Sequence, residues 1–211
     1  MAIDDPRGFV ECRHLGGNVN PTTMRRPIEA DGGRSAQFAK YAGDPAIMTS
    51  GQYVGRASAD NSGGVALLGI IRDVFTNSGG LPRPLVFNQP GAGPVLAASV
   101  AGWVDITVDP FQTYVANTDT TVLGTHIGQY VGTTVGAANT AAGRSGFMIK
   151  ISTATAVPNG DVPFQIIGFA PNNLGGLADI GSEGNQDVEV VIANHVFKRG
   201  FVNVSGAVSK G

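Results

Sequence analysis

From Gly43 onward the apolar residues of this 211-residue chain recur with a period of two, and turn residues interrupt them every ten or so positions. Successive side chains of a strand point to opposite faces, so this pattern fits half-buried strands rather than amphipathic helices. The clearest instance is Trp103-Val-Asp-Ile-Thr-Val-Asp109: Val104, Ile106 and Val108 share one face, Asp105, Thr107 and Asp109 the other. Val65 to Ile71 is continuously apolar, which predicts a strand buried on both faces. Ala46 to Thr49 and Gln52 to Ala57 flank Ser50-Gly51, a hairpin turn sequence. Phe111 to Ala116 follows Pro110, which marks an edge or bend because proline has no N–H for a ladder. Further strands are expected at Ile127 to Val131, Phe147 to Ser152, Phe164 to Phe169 and Asp187 to Phe197. The expected fold is all-β, an antiparallel β-barrel or sandwich (jelly-roll or tulip-like) with an extended N-terminal arm.

The arm is expected at residues 1–40. This stretch holds six of the fourteen basic residues, Arg7, Arg13, Arg25, Arg26, Arg34 and Lys40, and follows neither a period of 2 nor one of 3.6. One short helix is expected within it and just past it, from Ser35 to Ala42, with Ser35 as N-cap and Gly43 as C-cap. Residues 41–197 form the β-domain and 198–211 a tail. Between Leu85 and Gly143 there is no Lys or Arg, whereas Asp105, Asp109 and Asp119 occur there. A mildly acidic surface beside a basic arm is a means of steering subunits together.

Charged residues are only 14% of the chain, where a soluble domain carries about 25%. Net charge is -2 and apolar residues reach 42%, a combination opposite to that of disordered chains. Cys12 is the only cysteine, so no internal disulfide staples the fold. The opening MAIDDPRG has no signal-peptide pattern, and folding in the cytoplasm is expected. No apolar run approaches the roughly 20 residues that a membrane-spanning helix needs.

The sequence carries no catalytic pattern, so the chain is expected not to be an enzyme. Cys12 and His14 lie two apart, but one Cys-x-His without a second pair is a poor zinc site. His126 and His195 read as structural histidines. Asp105 and Asp109 stand about 13 Å apart along a strand at 3.3 Å per residue, too far for a glycosidase pair, and are expected to solvate an exposed face. Asp179, Glu183, Asp187 and Glu189 lack EF-hand spacing. No glycine cluster matches a phosphate loop, and the acidic balance argues against nucleic acid. No metal or cofactor is expected.

The succession GDPAIMTSGQYVG (43–55), VALLGII (65–71), GWVDITVDPFQTYVAN (102–117), IGQYV (127–131), GRSGFMI (143–149), PFQIIGFAPNN (163–173) and VEVVIANHVF (188–197) resembles the small β-barrel decoration, or cementing, proteins of tailed-phage heads. The resemblance covers residues 43–197 and its motifs belong to sheet architecture rather than to an active site. It implies a homotrimer on the outside of a capsid, made in the host cytoplasm, that bridges neighbouring copies of the major capsid protein. It also implies that residues 1–40 clamp adjacent subunits, with Arg7, Arg13, Arg25, Arg26 and Arg34 as contacts. A major capsid or tail-tube subunit, and a receptor- or carbohydrate-binding module, are the alternatives; neither membrane nor nucleic acid is an expected partner.

Overall fold

The structure, a computed structural model, describes residues 8–17, 20–28, 42–49, 53–57, 64–78, 81–84, 102–136, 145–158, 162–170 and 186–198. Twelve strands lie among them: β1 (Val10–His14), β2 (Thr23–Ile28), β3 (Pro45–Met48), β4 (Val54–Arg56), β5 (Leu67–Ser78), β6 (Leu81–Pro84), β7 (Gly102–Thr107), β8 (Gln112–Asn117), β9 (Tyr130–Val135), β10 (Phe147–Thr155), β11 (Phe164–Phe169) and β12 (Asp187–Ile192). They form two antiparallel sheets. The first runs β1-β8-β12-β11-β9-β10; the second runs β2-β7-β5-β3-β4, with β6 paired to β5.

The sheets pack as a sandwich, and among the described residues no closed barrel is found. The first sheet comes near to closing: it curls until Thr118, beyond β8, makes a single bridge to Ile149 of β10. One bridge is not a ladder, so the barrel form of the expectation gives way to the sandwich. Inside the curl lies the main core, with Tyr114, Val131, Phe147, Ile149, Phe164, Ile166, Val188, Val190 and Ile192. Phe9 stacks on Phe164 at 4.4 Å, and the second sheet adds Leu67 and Ile70.

A second apolar cluster belongs to the second sheet alone and contains Leu68, Ile71, Val74, Val104, Ile106 and Val108. The apolar run at 65–71 is thus buried on both faces from Leu67 onward, as its unbroken hydrophobicity predicts. The alternation in β7 also holds: Val104, Ile106 and Val108 all enter this cluster.

The opposite face of β7 differs from expectation. Asp109, expected on an exposed face, is buried: Thr22, just before β2, and His14, at the end of β1, lie against its carboxylate. Two further boundaries shift: residues 127–129 form a turn before β9, and the run from Asp187 leaves the sheet after Ile192 to end in a 3-10 turn, Val196–Lys198.

The N-terminal stretch is extended but is not a separate arm where it is described. β1 hydrogen-bonds to β8 at the edge of the first sheet, and β2 to β7 at the edge of the second. Each edge offers a ladder of unpaired backbone groups, and a short extended segment with little periodicity satisfies it. The helix expected from Ser35 lies outside the described residues apart from Ala42.

Candidate interaction surface

The arginines expected to face a partner are largely engaged within the chain. Arg13 of β1 reaches across β8 and donates from Nε and Nη2 to Oε1 and Oε2 of Glu189, at 2.7 and 2.8 Å. Glu189 is 2% exposed and also accepts from Thr113 Oγ1. A carboxylate at that depth needs charge-assisted partners, and the planar guanidinium supplies two. The hydrogen bonds and charge of Glu189 in turn raise the Arg13 pKa above its ordinary value.

Arg25 forms the same fork with Asp105, at 2.6 and 2.8 Å, and its guanidinium covers the Phe75 ring at 4.4 Å. Arg26 donates to Met24 Sδ. Arg7 and Arg34 lie outside the described residues. The acidic stretch and the basic segment therefore do meet, but inside one molecule: Arg25 answers Asp105. Asp187 accepts from Asn117, and Asp179 and Glu183 lie outside the described residues.

The structure brings together a corner that the sequence did not mark. Leu15, just after β1, and Thr22, just before β2, lie beside residues 108–111, between β7 and β8. Asp109 ties them: its carboxylate accepts from the N–H of Phe111 (2.9 Å) and of Thr22 (3.4 Å) and meets His14 Nε2 at 3.2 Å. His14 Nδ1 accepts from Gly16 N–H, which leaves the ring proton on Nε2. Burial raises the Asp109 pKa, but the two N–H donors and His14 outweigh it and hold the group below the usual carboxylate range. On this clamp sit side chains with large exposed apolar area, Leu15 (52%), Phe111 (53%) and Phe197 (49%). Leu15 N–H donates to the Phe111 carbonyl, and Lys198 Nζ stands 5.5 Å from the Phe111 ring while donating to the Ile192 carbonyl.

Beneath this corner His195 is fully buried and accepts from the Phe197 N–H through Nδ1. Burial, and then the Lys198 ammonium, push its pKa down to about 4. An unfolded histidine binds its proton near 6.5, so between pH 6.5 and 4 the unfolded chain holds more protons than the folded one. Stability from this residue is complete above pH 6.5 and falls as pH drops through that window, by on the order of 3 kcal/mol. Urea midpoints measured from pH 7 to 4.5 are expected to decline, and to decline less steeply in His195→Gln; parallel profiles for the two proteins would refute this.

Cys12 lies in β1 beside an open cleft of about 720 Å³ whose walls include Glu11, Arg13, His14 and Gln112. Burial and the nearby Glu189 raise its thiol pKa, which disfavours the nucleophilic thiolate at neutral pH. Glu11 accepts from Thr107 Oγ1. Among the described residues no three His, Cys, Asp or Glu side chains gather as metal ligands.

The alternation in the sequence, with Asp187 and Glu189 set against Val188, Val190 and Ile192, marked Glu189 as outward-facing, and no local signal marked it as half of a buried pair. Nothing local marked Asp109, Phe111 or Phe197. Compared with known protein families, with characterised proteins and with solved structures, the chain has no match.

Proposed function

We propose that this chain is a structural virion protein that binds the outside of a phage capsid as a homotrimer and cements neighbouring capsomers. The observation that carries the reading is the corner, where Leu15, Phe111 and Phe197 stand exposed on a clamp of buried hydrogen bonds. Ionic groups are paired within the sheets, Arg13 with Glu189 in the first and Arg25 with Asp105 in the second, which leaves apolar contact as the main source of association energy. Rigid placement of those side chains lowers the entropy lost on docking. Repetition over a lattice multiplies a modest single-site affinity.

Purified protein should run as a trimer in light scattering and sediment with preformed capsids, and the triple variant L15S/F111S/F197S should lose sedimentation by at least about tenfold while keeping its circular dichroism. A monomer that ignores capsids, or capsid binding untouched by the triple variant, defeats the proposal. Spontaneous tubes or shells would make the chain a lattice subunit instead.

A further inference from the structure

The turn that follows β12 hangs from one buried side chain. As the chain leaves the sheet it is pinned from two sides: the Pro163 carbonyl accepts from the N–H groups of Ala193 and Asn194, and the Asn194 carbonyl from the Leu67 N–H. His195 comes next, fully buried and bridged to Leu67 of β5. The 3-10 turn Val196–Lys198 is then held by His195 itself. The Phe197 N–H donates to His195 Nδ1 at 3.1 Å, and the Lys198 N–H to the His195 carbonyl at 2.9 Å. This turn delivers two side chains to the corner: Phe197, with its ring 5.5 Å from the imidazole, and Lys198, with Nζ 5.5 Å from the Phe111 ring.

Nδ1 can accept from the Phe197 N–H only while it carries no proton, because both nitrogens of an imidazolium are donors. Protonation therefore sets N–H against N–H at Phe197 and puts a charge into a fully buried site. Two charged side chains face the ring. Lys198, on the same turn, opposes a second positive charge, and Asp109, from the corner, favours it, as does the Leu68 backbone of β5. Burial and Lys198 prevail and hold the pKa at about 4, whereas a released imidazole binds its proton near 6.5. Each drop in pH below 6.5 thus shifts the balance toward the released ring.

We propose that His195 is an acid switch: its protonation releases the turn Val196–Lys198 while the sandwich stays folded, and so dismantles the corner formed by Leu15, Phe111 and Phe197. Release stops at His195 because the bonds of Ala193 and Asn194 to Pro163 and Leu67, and the ladders of β12 with β8 and β11, do not involve the imidazole. Only the consequence for docking rests on the function proposed above; the release of the turn does not. In acid, Phe197 and Lys198 lose their fixed places beside Phe111, and association through the corner weakens.

Amide hydrogen exchange of the purified full chain tests the switch without capsids, so a failure to bind capsids cannot be mistaken for its failure. The protection factor of the Phe197 amide should fall at least about tenfold between pH 7 and 4.5. The core amides of Phe164 and Val190 should stay at least about tenfold better protected than Phe197 throughout, as proof that the turn opens by itself. His195→Asn puts an amide oxygen where Nδ1 stands and does not titrate, and its Phe197 protection should change less than about threefold over the same range. A parent profile that is flat with pH overturns the proposal, as does Phe197 protection equal to that of the core, which would mean that the turn opens only with the whole fold. A fall that persists in His195→Asn also overturns it, by laying the response on His14 and Asp109.

Discussion

Phe164→Ala should cost about 3–5 kcal/mol of folding free energy, read as a lower urea midpoint with an unchanged denaturant slope. Phe164 is fully buried, sits in β11 opposite Val131 on one side and Ile192 on the other, and stacks on Phe9 with rings 10° from parallel. Truncation removes the ring from the middle of the curled sheet. The ladders on both sides of β11 hold the backbone in place, so the space does not collapse and the cavity cost adds to the lost transfer energy.

Phe9 precedes β1 and loses its stacking partner at the same stroke. A double-mutant cycle with Phe9→Ala should therefore return a coupling of about 0.5–1.5 kcal/mol. A loss below about 1 kcal/mol for Phe164→Ala would mean that this core is not packed as described.

Gly69→Ala is the second large effect, and Gly168→Ala is its control. Both glycines lie inside strands. A Cβ on Gly69 would stand 2.0 Å from the Thr107 carbonyl oxygen and 2.9 Å from Ile106 Cγ2, whereas one on Gly168 meets nothing within 4 Å. The obstacle at Gly69 is backbone of the neighbouring strand, which no rotamer change relieves. β5 pairs with β3 through Ala46 and Gly69 and with β7 through Ile70 and Thr107, so making room pulls one ladder apart.

The expected loss for Gly69→Ala is about 3–5 kcal/mol or failure to accumulate as soluble protein, at the upper end of single-residue effects. Gly168→Ala should stay within about 1 kcal/mol of the parent, since it also reduces the freedom of the unfolded chain. Similar melting curves for the two variants would refute the close approach of β5 and β7.

Which residues become strand was legible because a period of two is a local property. The alternation in β7, the unbroken apolar run of β5 and the boundaries of β11 at Phe164 and Phe169 needed no knowledge of neighbours. The interaction surface was far less legible. Arg13 and Glu189 are 176 residues apart, and Asp109 is buried where Thr22 and His14, distant in sequence, lie against it. The arginines were found as charges, but the partners of Arg13 and Arg25 turned out to be strands of the same molecule. Apolar side chains such as Leu15 and Phe111 gave no signal of exposure, since each also suits a core.

The sequence by itself determined that the chain is all-β, where most strands lie, and that Val104, Ile106 and Val108 share an apolar face, because side-chain parity follows from backbone geometry alone. The tertiary structure decided which sheet each strand joins, that 10–14 and 23–28 close the two edges, and that Asp109 clamps a corner. It also separated two strand glycines that look alike in sequence. The reason is the same in each case: these outcomes depend on which distant backbone passes within a few ångströms, and local pattern sets a residue's face without setting its neighbour.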